Sequence, residues 1–147
     1  MTKYAELDDL FKKADAFVAG GQSEEMVALA EKKLGVVFPL PFKDYLLKWG
    51  NVTFNGLEYY GLTRNSDFEN ASVPNCVWFT LRKRKAVGLP DDLVIFQSQN
   101  DDAYLCIACD PEQSRYGQLL VWDNVISEIA ETLEISFLDY LRQDLRR

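Results

Sequence analysis

SEEMVALAEKKLGVVFPLPFKDYLLKWGN, from Ser23 to Asn51, is punctuated like two short helices joined by a tight turn. Ser23 is placed as a side-chain N-cap, with Glu24 and Glu25 in the first turn, where carboxylates favour the positive end of the helix dipole. Gly35 falls where the left-handed residue that closes a helix is expected. Val36, Val37 and Phe38 lead to Pro39, whose fixed φ and missing N–H suit the start of a second helix. Phe42, Tyr45, Leu46 and Trp49 then recur at i, i+3, i+4 and i+7, which is one apolar face. Gly50 ends that helix. These residues dictate a scaffold and carry no chemistry of their own.

Upstream, Leu7, Leu10, Phe11, Ala14, Phe17 and Val18 form an apolar stripe that predicts a first helix over residues 4–19, broken at Gly20 and Gly21. Downstream, Val52-Thr53-Phe54 and Leu57-Glu58-Tyr59-Tyr60 flank Asn55-Gly56, the pair that supplies the positive φ angles of a type I′ hairpin. Residues 63–71 are polar and read as loop. Residues 73–87 are ambiguous: Val77-Trp78-Phe79-Thr80-Leu81 are strand formers, yet Pro74 and Gly88 are helix punctuation. Residues 93–97, 104–109 and 119–122 read as strands joined by polar turns, with residues 128–132 as a further strand. Phe137, Leu138, Leu141 and Leu145 mark a closing helix, with Arg146 and Arg147 suited to its negative end. The order predicts an α+β fold, with a largely antiparallel sheet and helices packed around it. With no repeat, linker or low-complexity tract, residues 1–147 read as a single domain.

The punctuation also resembles a known family. The Smi/Knr superfamily, or SUKH, has a helix ending in Leu-Gly, a short spacer, a Pro, then a helix carrying paired aromatics and a Leu. Glu31, Leu34, Gly35, Phe38, Pro39, Phe42, Tyr45, Leu46, Trp49 and Gly50 stand at matching positions. The resemblance continues through Gly88-Leu89-Pro90 and Leu93-Val94-Ile95-Phe96, through residues 105–110, and through Leu120-Val121-Trp122-Asp123. It closes on Ser136-Phe137-Leu138 and Leu141. It implies that residues 73–87 are helical. It also implies a non-enzymatic immunity protein of a bacterial toxin system, one that binds a partner toxin, often a nuclease, and blocks its active surface. A second reading keeps the fold as a protein-binding adaptor in a regulatory, cell-wall-related assembly, as the fungal members imply.

Composition bounds the chemistry. The chain is 48% hydrophobic and 13% aromatic, enough for a core and too apolar for disorder. No apolar run approaches the ~18–20 residues that span a bilayer, and the N-terminal residues lack the apolar stretch of a signal peptide, so a cytoplasmic location is expected. There is no histidine. That removes Ser-His-Asp and Cys-His nucleophiles and the commonest general base, and no carboxylate, Lys or Tyr constellation replaces them. No catalytic residue and no cofactor is expected. Cys106 and Cys109 have the CxxC spacing but lie in a predicted strand, where residues three apart face opposite ways. The three cysteines read as small buried hydrophobes, with no metal.

The formal charge of −7 is unevenly spread. Residues 86–139 carry eleven carboxylates against the single base Arg115, a balance of −10. Solvation accounts for any one acidic loop, but a whole strand-rich half of one sign repels phosphate and attracts a basic protein. The predicted partner is therefore a protein, of which a basic nuclease toxin is one, with no nucleic acid and no membrane. Turn residues at strand ends cluster without disturbing a fold. The candidate partner-binding residues are therefore Asp91, Asp92, Asp101, Asp102 and Asp110, with Glu58 on the preceding hairpin. The alternative is that these charges only keep the chain soluble and the partner docks on an aromatic surface near Tyr59 and Tyr60. Arg82-Lys83-Arg84-Lys85 spread around the circumference of a helix, so they read as a solvated surface balancing nearby acids. Asp101-Asp102 lacks the alternating ligands and Gly of a calcium loop.

Overall fold

The computed structural model describes residues 2–147. Its elements run α1 (Lys3–Lys13), β1 (Phe17–Val18), α2 (Glu24–Leu34), α3 (Leu40–Lys48), β2 (Val52–Phe54), β3 (Leu57–Tyr59), α4 (Cys76–Val87), β4 (Leu93–Gln99), β5 (Ala103–Ala108), β6 (Leu119–Asp123), β7 (Glu128–Leu133) and α5 (Phe137–Leu145). They build two antiparallel sheets, one of order β1-β2-β3 and one of order β4-β5-β6-β7. The α+β expectation holds, with its strands divided between two sheets.

Local sequence explains most boundaries. Ser23 Oγ accepts the Met26 N–H, and Gly35 closes α2 at φ +70°. Pro39 is the N-cap of α3, one residue before the first helical position, and Pro41 sits inside the first turn. Asn55 and Gly56 take φ +49° and +77° between β2 and β3, as the hairpin turn requires. The ambiguous segment resolves as helix from Cys76 to Val87, because Asn75 Oδ1 accepts from both Val77 N and Trp78 N, while Gly88 ends α4 in the left-handed region.

The first helix is shorter than its apolar stripe predicts. It stops at Lys13, the chain reverses through Asp15 at φ +51°, and Phe17 and Val18 pair with Thr53 and Val52. Phe17 is 63% exposed, so it never belonged to the buried face. A two-residue edge strand has the same composition as one more helical turn. Tertiary pairing decides between them.

The core joins both sheets. Phe42, Tyr45 and Leu46 of α3 are fully buried, and Trp49 nearly so. Phe137 of α5 meets Phe42, Tyr45 and Phe96 edge-on, with ring centroids 5.0–5.1 Å apart. A bulge between Ile95 and Gln97 frees the Phe96 carbonyl to accept the Tyr60 N–H at 2.7 Å, which stitches the first sheet to the second. On the same side of β4, Thr80 Oγ1 accepts the Ile95 N–H at 3.0 Å. The outer edge of β4 is thereby closed, and β7 carries the open edge of the larger sheet.

Candidate functional site

The six carboxylates singled out from sequence separate into two groups at opposite ends of the larger sheet. Leu93 pairs with Ala108 at one end of β4–β5 and Gln99 with Ala103 at the other, roughly 20 Å away at ~3.3 Å per residue. Asp91, Asp92 and Asp110 lie at the first end; Asp101 and Asp102 lie in the turn at the second.

At the first end the carboxylates mostly build structure. Asp92 is only 6% exposed and receives a two-pronged clasp from Arg115, Nε to Oδ2 at 2.8 Å and Nη2 to Oδ1 at 2.6 Å. Asp92 thus holds the sole base of the acidic half, and both its oxygens are occupied. Asp110 Oδ1 accepts the Glu112 N–H and shapes the turn after β5. Asp91 is exposed, and its carbonyl anchors Arg84 at 2.6 Å.

The second end is assembled differently. Asn100 and Asp101 turn the chain at φ +54° and +61°. Asp101 Oδ1 accepts the Tyr104 hydroxyl at 3.3 Å, and the Asp101 N–H donates to Ser98 Oγ. Asn124, in the β6–β7 turn, crosses over: its N–H donates to the Asp102 carbonyl at 2.9 Å and its side-chain amide to the Asp101 carbonyl at 3.0 Å. Asp123 Oδ1 in turn accepts from Val125 N and Ile126 N. The two turns are locked into one tip. Glu58 bears on it from the first sheet. Burial first, and then the charges of Glu58 and Asp101, push the Tyr60 phenol up, while burial and Asp101 push Tyr104 up to about 12. Glu58 and Asp101 therefore both lie near the Tyr60 phenol.

At the centre of the tip, Val125 and Ile126 stand 76% and 59% exposed, between Asp123 and Glu128. An exposed aliphatic pair with carboxylates on either side has the layout of a binding patch, with an apolar centre and a charged rim. Sequence reasoning missed both residues. The available signal was a Val-Ile pair inside turn-type neighbours, Asp123-Asn124 and Ser127-Glu128. The aromatic alternative fails on burial, since Tyr59 and Tyr60 are both in the core. Tyr59 donates to Asp144, and Tyr45 donates to the carbonyls of Tyr59 and Tyr60.

Cys76, Cys106 and Cys109 are buried free thiols, and burial pushes all three up, Cys76 to about 12, which suppresses thiolate chemistry. Among the described residues no helix is long and apolar enough to cross a membrane.

A family model described as SMI1-KNR4 cell-wall (SUKH_5) matches residues 5–146. The chain belongs to the SUKH family. A crystal structure of a protein from Pseudomonas syringae pv. tomato has the same fold, with a TM-score of 0.68 and 18% sequence identity over 95% of this SUKH chain and 99% of that one. A search of curated proteins returns no match. The paired aromatics and the Leu-Gly closure of the SUKH resemblance all lie in the core or at helix ends. Of the tip residues only Asp123 belongs to that signature.

Proposed function

We propose that this SUKH protein is a non-catalytic immunity protein that binds and neutralises a basic toxin, with the paired turns around Val125 and Ile126 as the docking surface. The observation that carries the reading is the exposed aliphatic pair, flanked in its turn by Asp123 and Glu128 and tied through Asn124 to the turn of Asp101 and Asp102. The apolar centre supplies affinity when water is excluded, and the rim supplies encounter rate and orientation. A nuclease must present cationic side chains to phosphate, and a carboxylate-rimmed tip complements such a cleft. Steered association of this kind reaches about 10⁸–10⁹ M⁻¹s⁻¹ at low salt. Residues 1–147 act as one unit, in the cytoplasm, where a nuclease toxin meets its substrate. Among the earlier candidates, Asp101, Asp102 and Glu58 stay with the docking surface, and Asp91 and Asp110 are at most a second, distant contact.

Co-expression with the polypeptide encoded next to it tests the reading, scored by growth rescue and co-purification. Ile126→Asp should abolish rescue while the fold is retained. A neighbour that is harmless alone, or an Ile126→Asp variant that protects fully, counts against it. The family description refers to the cell wall. That keeps the adaptor role as a second reading, which predicts a non-toxic protein partner at the same tip.

A further inference from the structure

The α4 residues that looked like a solvated basic run do not spread evenly. Arg84 turns into the body, where it donates to the carbonyls of Leu34 and Asp91, and Lys83 lies back over the Phe79 and Tyr104 rings. Trp78, Arg82 and Lys85 fall at i, i+4 and i+7 and share a stripe. With Lys33 of α2 and Phe68, Glu69 and Asn70 of the preceding loop, they line a groove of about 790 Å³ that also takes in Lys83. Its floor is apolar: Phe68 is buried, and Trp78 and Leu81 are half-buried. Its outward cations are Arg82 and Lys85: Lys33 engages the carboxylate Glu69 at 2.8 Å, and Lys83 holds its ammonium over the Phe79 and Tyr104 rings, 5.2 and 5.6 Å from their centroids. In a chain of net charge −7 this groove is locally positive.

We propose that the groove is a second docking site, one that receives a short acidic segment of a protein partner carrying an apolar side chain. The Arg82 guanidinium lies 5.1 Å from the Trp78 ring centroid. Stacking covers the face of a guanidinium and leaves its in-plane N–H groups free for a carboxylate. Lys85 is exposed beside it, and the indole and Leu81 offer an apolar wall for one anchoring side chain. A long nucleic acid is disfavoured because its further phosphates would run onto the acidic remainder of the surface. A short acidic segment keeps its charge within about a Debye length, ~10 Å at 0.1 M salt, of the cations. The site shares no residue with the Val125–Ile126 tip, so its failure would leave that reading untouched.

The test uses a fluorescein-labelled five-residue peptide of Glu and Asp around a central Phe, titrated by polarisation against the whole protein. A Gln/Asn counterpart and a single-stranded oligonucleotide of equal charge run in parallel. Saturable binding of the acidic peptide is expected, with none for the neutral one. It should weaken at least tenfold in the exposed-site variant Arg82→Glu/Lys85→Glu and persist in Asp101→Lys/Asp102→Lys. Circular dichroism establishes that both variants fold; Arg82→Gln/Lys85→Gln serves if the double reversal does not, with a smaller loss expected. No saturable binding, equal binding by the groove variants, or preferential binding of the oligonucleotide would each overturn the proposal.

Discussion

Removing Arg115 should hurt the protein more than neutralising its partner Asp92, and the asymmetry follows from which of the two water can reach. The Asp92 side chain is 5% exposed and that of Arg115 27%, with the guanidinium clasping both carboxylate oxygens. Breaking a fully buried pair costs about 3–5 kcal/mol, and an exposed pair contributes about 0–1 kcal/mol. Arg115→Met leaves a desolvated carboxylate without a partner, and the partial opening of the site places the cost at about 2–3 kcal/mol. For a chain of this size that lowers the melting temperature by roughly 5–10 °C. Asp92→Asn keeps the shape and one acceptor, while the freed guanidinium turns to solvent, so its cost should be about 1–2 kcal/mol. Urea denaturation of both single variants and the double variant at pH 7 measures the terms and their coupling. Equal costs, or an Arg115→Met cost below about 0.5 kcal/mol, would refute the buried-clasp reasoning. A folded Asp92→Asn variant should also protect cells as the parent does. Loss of protection with the fold intact would return Asp92 to the partner surface.

Trp49→Ala should cost about 3–5 kcal/mol by urea denaturation, because the ring packs edge-on against Phe11 and its N–H donates to Asp8 at 2.8 Å. The three thiols should resist alkylation at pH 8 until the chain unfolds, and neither chelator nor reductant should move the melting temperature. Asp139 is held below the ordinary carboxylate range, chiefly by its Lys3 hydrogen bond. Its contribution is therefore fully present above the unfolded carboxylate pKa of about 4 and is lost as pH falls through the lower folded value; Asp139→Asn should flatten the acid limb of a stability–pH curve. Asp101→Lys/Asp102→Lys should slow association with a basic toxin and weaken its salt dependence without changing stability; an unchanged on-rate at low salt would leave these charges to solubility alone.

What the sequence made legible tracks how local each cause is. Ser23, Gly35, Asn55-Gly56 and the Phe42–Trp49 stripe act within a few residues, and each stands where it was expected. The end of α1 was not legible, because Phe17 and Val18 answer to Val52 and Thr53, more than thirty residues away. The candidate site fared the same way. Counting carboxylates could not separate Asp92, spent on Arg115, from Asp102, exposed in the β4–β5 turn. That distinction needs the strand register. Val125 and Ile126 were overlooked because an aliphatic pair in a short sequence window reads as core. Only the closed β6–β7 turn puts both outside.

The two surfaces give the molecule opposite local signs, and this constrains how any binding experiment can be read. Salt screens the acidic tip and the basic groove alike, so salt dependence alone does not say which one a partner uses. Charge reversal does, because its effect has a sign. Asp101→Lys/Asp102→Lys removes attraction for a basic partner at the tip. Arg82→Glu/Lys85→Glu leaves that partner's contacts intact and makes the whole protein more negative, so association at the tip should stay the same or quicken slightly at low salt. A partner slowed by the groove reversal and indifferent to the tip reversal is engaging α4 and must bring negative charge of its own. A partner slowed by both spans the two surfaces, and its charge distribution must then be dipolar in the reverse sense.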